Sequence, residues 1–145
     1  MKASSDFPAM NAKKPEGVNT VGESYRVLLI DDSMFVRKQL NQILTSEGFN
    51  VVGEAENGVD GLEKYKELFP NVDLVTMDIT MPQMDGISCL EKIIQFDPKA
   101  TVVMISALGK EDLVKKALLV GAKNYIVKPL DRAKVLERIV SVFKK

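Results

Sequence analysis

The chain has 145 residues with 20 basic and 20 acidic side chains, so net charge implies neither a nucleic acid nor a membrane surface as a partner. It has no histidine and one cysteine, Cys89, which excludes Ser-His catalysis, histidine metal sites, an internal disulfide and a Cys-rich zinc site, and fits a reducing compartment. No apolar run approaches the roughly 20 residues that span a bilayer and no signal-like apolar region opens the chain, so a cytoplasmic protein with one domain-sized core is expected.

Residues 1–24 are rich in Lys, Ser, Asn, Gly and Pro without a period, and read as a mobile tail ahead of a domain over 25–145. Val27-Leu28-Leu29-Ile30 is a continuous apolar run, as in a strand buried on both faces, and it ends in Asp31-Asp32-Ser33. A helix follows with Val36, Leu40, Ile43 and Leu44 on one face; Asp32 or Ser33 can cap it and Gly48 stops it. A second strand covers roughly 50–55, and Asn57-Gly58 opens a helix with Leu62, Tyr65 and Leu68 that closes near Pro70. The third strand, 73–77, ends at Asp78. A loop over 79–86 leads to a helix over about 87–96, broken by Asp97-Pro98. The fourth strand, 101–105, ends at Ser106, and its helix spans about 110–120 and stops at Gly121. The fifth strand, 124–127, ends at Lys128-Pro129. The last helix runs over about 131–143 with Val135, Ile139, Val142 and Phe143 inward. This alternation implies an α/β fold, a parallel sheet wound with helices on both faces.

Ligands in such folds bind outside the carboxyl ends of the strands. Four of the five strands end there in a polar or charged group: Asp31-Asp32, Asp78, Ser106 and Lys128. Each alone reads as a helix cap or a turn residue; their joint placement is the signal. Clustered carboxylates repel one another and call for a cation, and oxygen-only ligands beside a phosphate favour Mg²⁺. A lysine opposite can pair with Asp78 and an incoming phosphoryl oxygen, and a hydroxyl can donate to another. Phosphoryl transfer, where positioning and charge neutralisation carry most of the catalysis, is the chemistry expected.

The stretches Leu29–Ser33, Met77–Gly86, Ile105–Ala107 and Val127–Pro129 resemble those of bacterial response-regulator receiver domains, specifically stand-alone CheY-type chemotaxis regulators, over about 26–143. The resemblance implies a flavodoxin-like (βα)5 fold with strand order 2-1-3-4-5. It implies that Asp78 is the phosphoacceptor and that Asp31, Asp32, Asp78 and the Thr80 carbonyl hold Mg²⁺. Ser106 matches the switch hydroxyl, Tyr125 the aromatic that changes rotamer, and Lys128 the site lysine, with Pro129 after it commonly in a cis peptide. The partners implied are a chemotaxis-type histidine kinase, a flagellar motor switch protein and a resetting phosphatase, with no nucleic acid and no membrane, around a monomer. The face of the fourth helix, fifth strand and fifth helix is the usual output surface.

Plainer readings stand beside these. Asp85-Gly86 reads first as a turn that starts the next helix. Tyr125 reads also as a core aromatic, Met77, Met81, Met84 and Met104 as loop and core filling, and Lys110, Lys115, Lys116 and Lys123 as a solvated face. Thr80 and Leu108 border the route of an attacking water, and Leu108 cannot hydrogen-bond one. The nearest rival role is a phosphorelay shuttle to a histidine phosphotransfer protein. An Asp-nucleophile phosphatase of the haloacid dehalogenase type would place a second Asp where Thr80 stands, so a signalling protein is expected rather than a turnover enzyme.

Overall fold

Val27, Leu28, Leu29 and Ile30 expose no surface, as a strand covered on both faces requires. The structure, a computed structural model, describes residues 14–144. Its elements alternate: β1 (Arg26–Ile30), α1 (Met34–Ser46), β2 (Asn50–Ala55), α2 (Gly58–Leu68), β3 (Leu74–Asp78), α3 (Gly86–Phe96), β4 (Val102–Ser106), α4 (Glu111–Val120), β5 (Asn124–Val127) and α5 (Arg132–Ser141). The five strands form one parallel sheet in the order β2-β1-β3-β4-β5, the flavodoxin-like order expected.

Strand alternation splits the core in two. Leu28, Ile30, Val75, Met77, Val102 and Met104 face α2, α3 and α4, whose Tyr65, Leu90, Ile93, Val114 and Ala117 cover them. Val27, Leu29, Leu74, Val103 and Ile105 face α1 and α5, under Val36, Leu40, Leu44, Val135 and Ile139. Thr76 shares the second face by the same alternation, paired in register with Leu29 and Val103, and its buried Oγ1 has no hydrogen-bond partner.

The caps follow the local chemistry. Ser33, of the two residues able to cap α1, accepts from the Val36 N–H; Asn57, Asp85 and Asp131 accept likewise at the starts of α2, α3 and α5. Asp85 therefore opens a helix, as the plainer reading of Asp85-Gly86 has it. Gly48, at a φ of +85°, turns the chain out of α1.

Two stretches differ from expectation. The last helix closes at Ser141, and Val142 and Phe143 continue it as a turn bonded to the carbonyls of Ile139 and Val140. Within residues 14–24, read as part of a mobile tail, Gly17 is buried against the domain while most of the others are exposed; residues 1–13 lie outside the described residues. The Gly17 N–H donates to the Glu47 carbonyl at 2.7 Å, the Gly17 carbonyl accepts from Tyr25 at 2.8 Å, and Val18 bridges Ser24. Any side chain at Gly17 would collide with Phe49. Tyr25, the residue after this segment, stacks on Phe143 beyond α5 with ring centroids 3.8 Å apart.

Candidate functional site

The parallel register brings the carboxyl ends of β1, β3, β4 and β5 to one edge of the sheet, so Asp31, Asp78, Ser106 and Lys128 arrive together. Asp31 is 1 % exposed, Asp78 5 % and Ser106 2 %, whereas Asp32 is open to solvent. One carboxylate oxygen from each of Asp31, Asp32 and Asp78 lies within 4.8 Å of the others. Lys128 Nζ sits 3.4 Å from Asp31 Oδ2 and 3.5 Å from Asp78 Oδ1. The Lys128–Pro129 peptide is cis, and the Lys128 N–H donates to the Ser106 carbonyl at 2.7 Å, which links the ends of β4 and β5.

The electrostatics are lopsided: three acids share one nearby ammonium. Burial pushes Asp78 up to about 7, the Asp31 charge adds to the rise, and Lys128 acts against it. Asp31 is raised as well, first by burial, with the Ser33 N–H and Lys128 opposing. Asp31 Oδ1 accepts from the Ser33 N–H at 2.8 Å, but its buried Oδ2 has no hydrogen-bond partner. An orphaned carboxylate oxygen in an all-oxygen cluster is the environment a hard divalent cation satisfies, so the residues present fit such an ion.

The backbone around Asp78 is closely packed. Gly86 lies against the Asp78 carbonyl and the Ile79 Cα, so that any Cβ there would overlap them, and its N–H donates to the Ile79 carbonyl at 2.7 Å. Gly58 leaves the same kind of room for the Met84 carbonyl. The loop after Asp78 is thereby pinned to α2 and α3. Thr80 lies exposed on that loop, two residues beyond Asp78, and Leu108 stands well exposed after β4.

Tyr125 is not at the carboxylates. It is half-buried on β5, with the Arg138 guanidinium 4.6 Å from its ring centre. Between it and Ser106 lies a cavity of about 200 Å³, walled by Val114 and Leu118 of α4. Lys110, Lys115, Lys116 and Lys123 are all exposed. Cys89, expected to be a buried structural thiol, is buried against the Gly58 carbonyl, and burial pushes it up to about 12. Met77, Met81 and Met104 are core residues.

One contact at this edge was not anticipated: Arg37 of α1 donates to the Asp31 carbonyl. The available signal was a cation in the first turn of a helix, the end where the dipole disfavours one.

Residues 27–140 match the model of the response regulator receiver domain. The chain belongs to the response-regulator receiver family. This receiver domain is 67 % identical to the chemotaxis protein CheY of Treponema pallidum over 144 residues, covering 99 % of this chain and all of that one. It is 51 % identical to CheY of Bacillus subtilis over 116 residues, 80 % of this chain and 95 % of the relative. Among solved structures, a CheX–CheY–BeF₃–Mg²⁺ complex from Borrelia burgdorferi is similar, with a TM-score of 0.89 and 59 % identity over 92 % of this chain and all of that one. No described helix is long and apolar enough to cross a membrane.

Proposed function

We propose that this receiver domain is a cytoplasmic chemotaxis response regulator in which phosphorylation of Asp78 by a histidine kinase switches the face formed by α4, β5 and α5. The observation that carries the reading is the trio Asp31, Asp32 and Asp78, with oxygens within 4.8 Å and Lys128 3.4–3.5 Å from two of them. Those three carboxylates and the Thr80 carbonyl would hold Mg²⁺, which would supply positive charge against the repulsion between Asp78 and an incoming phosphoryl group. An Asp78 oxygen attacks the phosphorus of a phosphohistidine in line. The P–N bond breaks, its electron pair stays on the imidazole, which takes up a proton, and a P–O bond makes the acyl phosphate. Lys128, within reach of Asp78, pairs with a phosphoryl oxygen as charge accumulates.

The product carries roughly −1.5 to −2 charge where a carboxylate carried one. Ser106, on the strand beside Asp78, donates its hydroxyl to a phosphoryl oxygen. Tyr125 turns toward the vacated space, and the cavity of about 200 Å³ between the two residues supports that movement. The output is a population shift biased by one covalent charge, and the protein acts as a monomeric signalling switch, not a turnover enzyme. Its target is a flagellar motor switch protein. The Borrelia relative's complex with CheX supports a CheX-type protein as a further partner.

The test is phosphate incorporation from a small phosphodonor with Mg²⁺, followed by capture of the motor switch protein with and without beryllofluoride. Wild type incorporates phosphate and Asp78→Ala does not; undiminished incorporation in Asp78→Ala refutes the assignment. Capture that ignores beryllofluoride refutes the switch.

A further inference from the structure

Asp31 has four polar groups, a backbone N–H, a carbonyl and two carboxylate oxygens, and three are tied to the scaffold. Its N–H donates to the Ala55 carbonyl at 3.0 Å, its Oδ1 accepts from the Ser33 N–H at 2.8 Å, and its carbonyl accepts from Arg37 Nη1 at 2.5 Å. Only Oδ2 is left, 3.4 Å from the Lys128 Nζ that also approaches Asp78. The residue is therefore held through every polar atom except the one left without a hydrogen bond.

Arg37 is the unusual member of that set. It sits in the first turn of α1, its own N–H donating to the Ser33 carbonyl, where the helix dipole disfavours a cation. Its side chain is only 12 % exposed, and Nε donates to Glu54 Oε1 at 2.9 Å while Nη1 reaches Asp31. Glu54 belongs to β2, so the guanidinium joins the end of one strand to the loop after its neighbour. A planar fork with fixed donor directions is what such a two-ended contact requires. Nothing on the helix itself favours the placement; the two acceptors do.

We propose that Arg37 is a positioning residue: braced by Glu54, it clamps the Asp31 carbonyl and thereby aims Asp31 Oδ2, setting the affinity of the carboxylate trio for a divalent cation. The inference rests on the reading of that trio as a Mg²⁺ site. It has a sign that separates it from simple electrostatics. A cation this close to a metal site repels the metal, so if its field dominated, removing Arg37 would tighten Mg²⁺ binding. If orientation dominates, removal weakens binding, and outer groups that orient ligands typically matter by about 10–100-fold.

The experiment measures Mg²⁺ affinity of the full chain by titration calorimetry, with the metal alone as ligand, in wild type, Arg37→Ala, Arg37→Lys and Asp31→Asn. Urea unfolding without Mg²⁺ reports the fold of each. Arg37→Ala is expected to raise the dissociation constant about tenfold or more. Phosphate incorporation should return to near the wild-type rate once Mg²⁺ is saturating, a split that a general loss of structure would not produce. Arg37→Lys keeps the charge and loses the fork, so it should weaken binding about threefold or more; it carries the test if Arg37→Ala does not fold. Tighter binding in Arg37→Ala, or a dissociation constant within about twofold of wild type in the folded variants, overturns the proposal. Asp31→Asn separates the two claims. If it leaves Mg²⁺ affinity unchanged, the metal-site reading fails; if it abolishes binding while the Arg37 variants bind as wild type, only this inference fails.

Discussion

The two edges of the sheet treat their acids in opposite ways. At the amino ends of β1 and β3, Asp73 accepts the Arg26 N–H at 2.7 Å, Nε at 2.9 Å and Nη2 at 3.1 Å. Burial raises this carboxyl, but the Arg26 hydrogen bonds and charge outweigh it and hold it below the usual carboxylate range. At the carboxyl ends of the same two strands, Asp31 and Asp78 share Lys128 at 3.4–3.5 Å, one oxygen is orphaned, and both acids are raised. Strand geometry is the same at both edges, so the difference lies in the partners supplied. An acid used for stability is saturated with donors. The acids at the carboxyl edge are left short of them, and the fold bears the cost until an outside charge arrives.

The strongest way to break that comparison is to neutralise Asp78. Its folded-state value is raised, so the native state holds the proton more tightly than the unfolded chain does. The stability linked to it is complete below the unfolded value, 3.8, and is lost as pH rises through about 7. At pH 8 without Mg²⁺ the penalty is fully expressed, and Asp78→Asn is expected to stabilise the protein by about 1–3 kcal/mol. Mg²⁺ should then stabilise wild type and leave the variant unchanged. Urea unfolding with and without the ion measures both. A variant less stable than wild type without Mg²⁺ would mean that this edge is not underpaired.

How far the sequence foretold these two edges depends on the range of the contacts. Asp31, Asp78, Ser106 and Lys128 were legible because each follows a continuous apolar run, and a parallel sheet necessarily collects such ends. The start of α1 at Asp32 or Ser33 and the turn at Asp85-Gly86 were legible for a similarly local reason, and the structure adds that Ser33 and Asp85 are the side chains serving an N–H three residues on. Contacts between distant residues were not. Gly86 could be read as a turn glycine, but its closest constraint is the backbone of Asp78 and Ile79. Residues 14–24 have no period, and it is the meeting of Gly17 with Phe49 and Glu47 that fixes part of them on the domain. Arg26 and Asp73 lie 47 positions apart, and nothing local to either announces the pair.

Thr76 sharpens the comparison from the middle of the sheet. Its Oγ1 is buried and unpartnered, like Asp31 Oδ2, but it lies among apolar neighbours on the α1 and α5 face and carries no charge. If shortage of partners is itself costly, Thr76→Val, close in shape and without the hydroxyl, should stabilise the protein by about 1 kcal/mol. Mg²⁺ affinity should stay near the wild-type value, because the hydroxyl is uncharged and has no hydrogen-bond partner through which to act on Asp78. Destabilisation on equilibrium unfolding would show that the hydroxyl is satisfied in solution and that the shortage is confined to the charged edge.

The smallest effect is expected at the saturated edge. Arg26 and Asp73 side chains are 38 % and 29 % exposed, so solvent screens the pair and its worth is modest. Asp73→Asn should cost about 0.5–1 kcal/mol at pH 7, where the carboxylate is ionised in both folded and unfolded chains. Because the folded-state value is lowered, that contribution is present above the unfolded value of 3.8 and disappears as pH falls through the folded one. The difference between wild type and Asp73→Asn should therefore shrink as pH falls below 3.8 and vanish once it is below the folded-state value, if the charge is its source. A difference that persists at low pH would assign the stabilisation to neutral hydrogen bonding. The two edges would then differ in the number of donors each acid receives, and not in the charge it carries.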